Sequence, residues 1–411
     1  MNNFKKRLLS NLVGKALKIF PVLIITGSRQ TGKTTLVKKL LSDTKRKYYS
    51  FDDIDLQEQA RREPESLLTS FPVTFDEVQR VPEFLLSIKK VVDSHRKPGM
   101  IILAGSANFS LLNKITESLA GRAYYLELLP FCPREWQMKT EELSPIDKWF
   151  DNEFTIKDWP IQKNNWKNCL LRGGFPPRLN LGQQVDAELW FAGYIQTYLE
   201  RDLYQLQQVS SLADFKRIMQ LTANRVGRLL NQSDIARDAG VPQATCHRYF
   251  NLLETSCQIM RLPVYSTNPN IPVVKSKKLF WKDSGVGSYL AGIKNIALLE
   301  QRNDLGFWLE QQIFQTLQVW QAMDPINRNI FYWRDRKGNE VDFILEKDQR
   351  LIALEVKNSS KIYSHDLKGL KIFEEVLLPR KKWLRSIILF NGQTARPLGS
   401  NDYALPLGWF T

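Results

Sequence analysis

The chain has 411 residues and a mass of 47.8 kDa, too long for one ordinary hydrophobic core, so two to four domains are expected. Its 43% hydrophobic and 25% charged residues are those of a folded globular protein and exclude the disordered and fibrous classes. Against 43 Asp and Glu stand 58 Lys and Arg, a net charge of +15 that favours polyanions such as DNA but equally suits a basic protein with solvated faces.

No apolar run reaches the eighteen or so residues that span a bilayer. The basic start Met1-Asn2-Asn3-Phe4-Lys5-Lys6-Arg7 lacks the apolar stretch and cleavage site of a signal peptide. A cytoplasmic protein without membrane contact is expected. Cys132, Cys169, Cys246 and Cys257 stand far apart, and His95, His247 and His365 make no ligand pattern with them, so neither disulfides nor structural zinc are indicated.

In chain order, residues 1–132 alternate short apolar runs with helical stretches, the pattern of a parallel α/β sheet. The strand Val22-Leu23-Ile24-Ile25 enters Gly27-Ser28-Arg29-Gln30-Thr31-Gly32-Lys33-Thr34, a complete Walker A loop, and a helix from Thr35 leaves it. Such a loop turns successive backbone N–H groups toward phosphates, brings Lys33 to the β- and γ-oxygens, and offers the Thr34 hydroxyl to Mg²⁺. ATP and Mg²⁺ are the expected cofactors. A second strand, Val73-Thr74-Phe75, ends in Asp76 and Glu77, one carboxylate for the Mg²⁺ shell and one to polarise the attacking water. A third, Ile101 to Ala104, delivers Ser106 and Asn108 to the same sheet edge as candidate γ-phosphate sensors. Arg122 is a candidate cation for transition-state charge, possessed of the right chemistry to act across a subunit boundary, although spacing alone fits a surface arginine as well.

Residues 133–210 have helical spacing broken by Arg172-Gly173-Gly174-Phe175-Pro176-Pro177, which reads as a helical lid and connector with a forced turn. Together with the Walker loop, Phe75-Asp76-Glu77-Val78-Gln79-Arg80-Val81-Pro82, Gly105-Ser106, Leu119-Ala120-Gly121-Arg122 and Tyr198-Leu199-Glu200-Arg201-Asp202, this turn resembles the AAA+ ATPases that carry a C-terminal region classed as a domain of unknown function. The resemblance spans nearly the whole chain. It implies that Ser106 or Asn108 senses the γ-phosphate, that Pro176 in the lid contacts the base, that Arg122 is an arginine finger, and that the protein forms homo-oligomers.

Residues 211–275 carry a helix-turn-helix pattern: Asn231 caps a first helix, Gly240 turns the chain, and Pro242 opens a second helix. That second helix is expected to turn Ala244, Tyr249 or Phe250, and Leu253 to a core. Gln243, Thr245, His247 and Arg248 are left for a DNA groove. Use of such a unit for packing or oligomer contact fits the pattern equally.

In residues 276–411, two apolar strands flank a turn at Lys347-Asp348-Gln349-Arg350. A hairpin centred there sets Asp342 opposite Glu355, and period-two alternation puts Lys357 on the face of Glu355. Two carboxylates and a lysine at a strand end suit Mg²⁺-assisted phosphodiester hydrolysis. This pattern resembles the PD-(D/E)XK restriction-endonuclease fold, and the resemblance adds Glu310 on an upstream helix to the set.

The expected architecture is therefore α/β: a P-loop AAA+ domain with helices on both faces of a parallel sheet, a helical lid, a winged-helix segment, and a restriction-endonuclease-like α/β domain. The leading functional expectation is an ATPase that binds or remodels DNA. An ATP-gated Mg²⁺-dependent DNA nuclease and a nucleotide switch that recruits a protein partner are the alternatives.

Overall fold

The computed structural model describes residues 4–40, 45–106, 119–140, 145–179, 181, 184–197, 209–266, 276–378 and 384–411. Two compact units divide the chain. One comprises Met1–Phe131 with Phe175–Pro177 and Thr255–Gln258, and the other comprises Cys132–Gly174, Arg178–Glu254 and Ile259–Thr411.

The first unit is built on a five-stranded sheet in the order β2-β3-β4-β1-β5, where β1 is Val22–Thr26, β2 Lys47–Ser50, β3 Val73–Asp76, β4 Ile101–Ala104 and β5 Ala123–Glu127. Every pairing is parallel. Fully buried strands of a parallel sheet need continuous apolar runs, and the four residues of β4 and the first four of β1 are all buried and apolar. In β3 the alternation of Val73 and Phe75 with Thr74 and Asp76 sends the aromatic ring into the core. Phe75 stacks edge-on against Phe84 at 4.8 Å between ring centroids and lies 5.8 Å from Phe51. This packing fixes the strand that carries Asp76.

Because β4 lies between β1 and β3, the loops leaving the carboxyl ends of these three strands gather at one sheet edge, where ligands of open α/β sheets bind. The helix Lys33–Leu40 begins directly in the loop after β1.

In the second unit the helices Leu212–Ala223, Gln232–Ala239 and Gln243–Thr255 run consecutively and are followed by an antiparallel hairpin of β6 (Ile259–Leu262) and β7 (Lys278–Trp281). Asn231 caps the middle helix through bonds from the amides of Ser233 and Asp234, and Gly240 ends it in the left-handed region. The last helix buries Cys246, Tyr249, Phe250, Leu252 and Leu253. Ala244, expected in the core, is exposed and Cys246 takes its place.

A six-stranded sheet follows in the order β12-β13-β11-β10-β9-β8, with β8 Arg328–Arg334, β9 Glu340–Lys347, β10 Arg350–Lys357, β11 Leu384–Phe390, β12 Arg396–Pro397 and β13 Asp402–Pro406. Strands β8, β9 and β10 form an antiparallel meander, while β10 and β11 pair in parallel across the helix Lys368–Leu377. Asp348 and Gln349 both have positive φ, the backbone that a two-residue hairpin turn requires.

The helix Leu305–Ala322 is buried from Trp308 to Trp320, glutamines included. Gln311 brackets Trp281, accepting its N–H at 2.9 Å and donating to its C=O at 2.8 Å. Gln315 accepts from Ser284 N–H at 3.0 Å, and Gln318 donates to Lys282 C=O at 2.6 Å. One helix face thus satisfies the backbone at the end of β7, which positions Lys278 relative to Glu310.

Among the described residues no helix is long and apolar enough to cross a membrane.

Candidate functional site

The loop after β1 takes the conformation that its glycines allow. Gly27 has φ +136° and a Cβ there would come within 2.5 Å of the Leu128 carbonyl oxygen, while Gly32 has φ +92°. Inside the loop the Thr31 hydroxyl donates to Ser28 C=O at 3.0 Å. The Lys33 ammonium donates to the carbonyls of Gly27 at 3.1 Å and Ser28 at 2.8 Å. Burial lowers its pKa to about 8, opposed by the carboxylates of Glu77 and Asp76. Arg29, Gln30 and Thr35 are exposed along the loop, and Pro176 packs beside it, 3.6 Å from where a Cβ on Gly32 would stand.

Asp76 is 2% exposed, and the structure brings it directly to Thr34, whose hydroxyl donates to Oδ2 at 2.6 Å. Tyr48 OH donates to the same oxygen at 2.8 Å, and the Glu77 amide donates to Oδ1 at 3.0 Å. Burial, then the bond to Asp76, pushes the Tyr48 phenol well above its ordinary range.

Glu77 has φ +55°, a left-handed turn that redirects its side chain at the strand end. Gln79 Nε2 donates both to Glu77 Oε2 and, at 3.1 Å, to Ser106 Oγ. Burial raises the Glu77 carboxyl, while the Gln79 bond and Lys33 pull it down. The two loops beside the phosphate loop are therefore joined through one amide. Asn108 lies outside the described residues, as does Tyr198 to Asp202.

Arg122 is not brought to this edge. Val22 pairs with Ala123 and Thr26 with Glu127, so Arg122 lies five residues, about 16 Å of strand, from the level of Thr26. There its guanidinium pairs with Asp93.

The donor set fits a magnesium nucleotide: loop amides and an ammonium for phosphates, with a hydroxyl and a carboxylate in contact where the metal shell would form. Among the described residues no group of three or more His, Cys, Asp or Glu side chains is placed to hold a metal ion.

Sequence reasoning passed over Gln79 and Tyr48, although Gln79 sits two residues beyond Glu77. It also passed over Cys257, whose carbonyl accepts from Ser28 Oγ at 2.7 Å. No local pattern marks that contact, since 229 residues separate the partners.

Residues 20–137 match the family described as AAA domain. This segment is an AAA-type P-loop domain. Beyond the AAA domain, residues 163–297 and 305–410 match two families described as domains of unknown function. Two mycobacterial proteins bearing the names uncharacterized protein Rv2008c, of Mycobacterium tuberculosis, and Mb2031c, of Mycobacterium bovis, are each 29% identical over 349 residues, 84% of this chain and 72% of theirs. Among solved structures, the Walker-type ATPase Paby2304 of Pyrococcus abyssi aligns at TM-score 0.44 and 16% identity, over 70% of this chain and 96% of that one. The RuvB Holliday junction branch migration motor of Thermotoga maritima aligns at TM-score 0.29 and 17% identity, over 62% and 89%. At these scores the structural likenesses carry no argument beyond the AAA domain match.

In the second unit, the exposed face of the Gln243–Thr255 helix carries Gln243, His247 and Arg248, with Thr245 half-buried. Gln243 donates to Ser233 Oγ at 3.0 Å, His247 Nδ1 lies 3.0 Å from Gln232 Oε1, and Arg248 donates to Ser210 Oγ at 3.2 Å.

The remaining candidates converge as the hairpin places them. Leu354 pairs with Phe343, so the next step of the ladder sets Glu355 beside Asp342, and Val356 N–H donates to Asp342 Oδ2 at 2.9 Å. Lys357 pairs with Glu355 at 2.8 Å. Glu310 faces the same centre, and two groups absent from the expected set join it. The Lys278 ammonium lies 3.1 Å from Glu310, 2.5 Å from Glu340 and 3.5 Å from Asp342. Burial works against its charge, yet Glu310, Asp342 and Glu340 outweigh burial and hold it above the usual lysine range. Burial, and then Asp342, pushes Glu355 up to about 8 against the pull of Lys357.

Proposed function

We propose that this protein is an ATP-hydrolysing machine that binds or remodels DNA, with nucleotide turnover coupled to its C-terminal half. The single observation that carries the hydrolytic part is the contact of Thr34 with Asp76 beside Glu77, at the mouth of a Walker loop. Bound Mg·ATP supplies the scissile phosphoanhydride and a metal charge that offsets the phosphates. Thr34 and Asp76 would hold the metal, Lys33 would pair with the β- and γ-oxygens, and Glu77 would orient and polarise water, with Ser106 reporting the γ-phosphate through Gln79. Pro176 beside Gly32 is suited to pack on the nucleotide.

Arg122, turned away from its own phosphate loop, fits a finger supplied to a neighbouring copy, which supports a homo-oligomer. Mixing Lys33→Ala with Arg122→Ala tests this: partial recovery of turnover in the mixture is expected, and none in any ratio removes the role in trans.

For DNA, support comes from three helices, a glycine turn and a β-hairpin in winged-helix order, with Gln243, Thr245, His247 and Arg248 along the last helix and a net charge of +15. The meander, its upstream helix and the parallel β11 support a nuclease-like fold for the C-terminal sheet. Turnover measured with duplex, forked and single-stranded DNA across a salt series tests the coupling. Stimulation that fades with salt is expected, and an unchanged rate on every DNA form discards it.

A further inference from the structure

Two-metal and one-metal phosphodiesterases need carboxylates that are free to take a divalent cation at about 2.0–2.1 Å, with octahedral geometry and remaining positions open to water. The nuclease-like reading of the C-terminal sheet would assign that task to Glu310, Asp342 and Glu355. What these residues face here is an ammonium. Lys278 is 2% exposed, and its Nζ lies within 3.5 Å of carboxylates from the Leu305–Ala322 helix and from two positions on one face of β9. An ammonium brings three donors, and the three carboxylate partners match that number.

Lys278 is held in place by burial and by its three carboxylate partners, on a strand whose backbone is itself fixed. Its Cα pairs with Leu262 across the β6–β7 hairpin, and the residues after it are bracketed by Gln311, Gln315 and Gln318. The stem therefore leaves a strand whose backbone is satisfied on both sides. Lys357, the lysine that the nuclease pattern would turn on a scissile phosphate, is engaged as well, at 2.8 Å from Glu355 and 3.7 Å from Asp366. A divalent cation would have to enter beside a fixed positive charge and take ligands already in use. The residues present do not fit the metal that the fold resemblance implies.

We propose that Lys278 is a built-in cation that replaces the catalytic metal, so that the C-terminal half keeps a nuclease-like frame but neither binds a divalent ion there nor cuts DNA. This deepens the reading of that half as nuclease-like and rests on it only for the expectation of a metal. The ion-pair geometry stands whether or not the protein binds DNA.

The test is Mn²⁺ binding to the nucleotide-free full chain, followed by the loss of the free-ion electron paramagnetic resonance signal. All variants carry Asp76→Asn, so that the phosphate loop contributes nothing. The Lys278→Met change keeps a long side chain and removes the charge. It is expected to gain a single Mn²⁺ site at least about tenfold tighter than anything on the parent, lost again when Asp342→Asn is added. Equal binding by parent and Lys278→Met would overturn the proposal. Should Lys278→Met fail to fold, the parent decides alone: Mn²⁺ titrations that do not change on Glu310→Gln or Asp342→Asn support it, and a bound Mn²⁺ lost with either overturns it. These readouts involve neither ATP turnover nor DNA affinity, so failure of the wider functional reading leaves them interpretable.

Discussion

The hydroxyl of Ser28 donates to the carbonyl of Cys257 at 2.7 Å, joining the phosphate loop to the residues that directly follow the Gln243–Thr255 helix. Gln258 Nε2 reaches the same hydroxyl at 3.5 Å, so residues after the helix meet the loop at one atom. If phosphates draw on the Ser28 amide, this junction is where the residues following the helix would register it.

Removing the link exposes its strength. A hydrogen bond of this kind is worth about 1 kcal/mol, so Ser28→Ala is expected to speed amide exchange in residues 255–258 about fivefold without nucleotide. In the wild type, Mg·ATP analogue should change exchange in that same peptide. Mass spectrometry that finds the 255–258 peptide indifferent to both nucleotide and mutation would remove this junction from the response to nucleotide.

Lys33 makes nucleotide affinity dependent on pH. Burial lowers the pKa of its ammonium to about 8 from an ordinary 10.5, so between these values the folded chain has released a proton that the unfolded chain retains. The sign for folding is a stability that rises with pH over this window. For ATP it is reversed, because the triphosphate needs the charged ammonium and draws the proton back. Above pH 8, affinity is expected to fall by up to about tenfold per unit, with proton uptake on binding. Calorimetry in buffers of different ionisation enthalpy measures the uptake, and Lys33→Ala should show none.

Glu77 and Gln79 give a paired prediction. Glu77→Gln is expected to cut turnover by about 10²- to 10⁴-fold while nucleotide binding persists, as for loss of a general base. Gln79→Ala removes a bond that holds the Glu77 carboxyl down against burial, so the acid limb of the turnover profile moves to higher pH. Steady-state rates from pH 5 to 9 check both, and an acid limb that stays in place would remove Gln79 from control of Glu77.

How much of this was legible depends on the distance over which each feature is encoded. The phosphate loop is eight consecutive residues whose glycines serve the backbone, and Asp76 and Glu77 end an apolar run, so both can be read locally. Strand β2, with its sequence Lys-Tyr-Tyr-Ser and no fully buried residue, sits at the sheet edge and lacks the apolar run that marks its neighbours. Tyr48 was hidden with it. The helix after Pro242 was legible as a helix and in phase, with Tyr249, Phe250 and Leu253 buried as expected; the miss is at its first turn, where Cys246 completes the i, i+3, i+4, i+7 stripe and Ala244 lies outside it. Glu340 shares the face of Asp342 by the period-two rule and could have been found. Lys278 could not, because its role depends on a glutamine-lined helix that begins 27 residues later docking the strand beside Glu310.

Asp283 ties the turn at Gly173 and Gly174 to the start of the Ser284–Leu290 helix, and it should leave a mark on stability. Its carboxylate accepts from Gly174 N–H at 2.6 Å and Val286 N–H at 2.9 Å, and a Cβ on Gly173 would meet it at 2.5 Å. Burial nevertheless pushes its pKa to about 6 from an ordinary 3.8, the backbone donors opposing. Between those values the folded chain holds a proton that the unfolded chain has lost, so this contribution is whole below pH 3.8 and disappears as pH rises through 6. Its size is on the order of 3 kcal/mol from the two-unit displacement. Asp283→Asn cannot titrate, and it places an amide against one of the backbone N–H donors. The variant is therefore expected to be less stable than wild type at pH 4 and to close part of that gap by pH 7. Urea unfolding of both proteins at half-unit steps checks this, and a gap that stays constant across the series would mean that Asp283 holds the turn without changing its protonation.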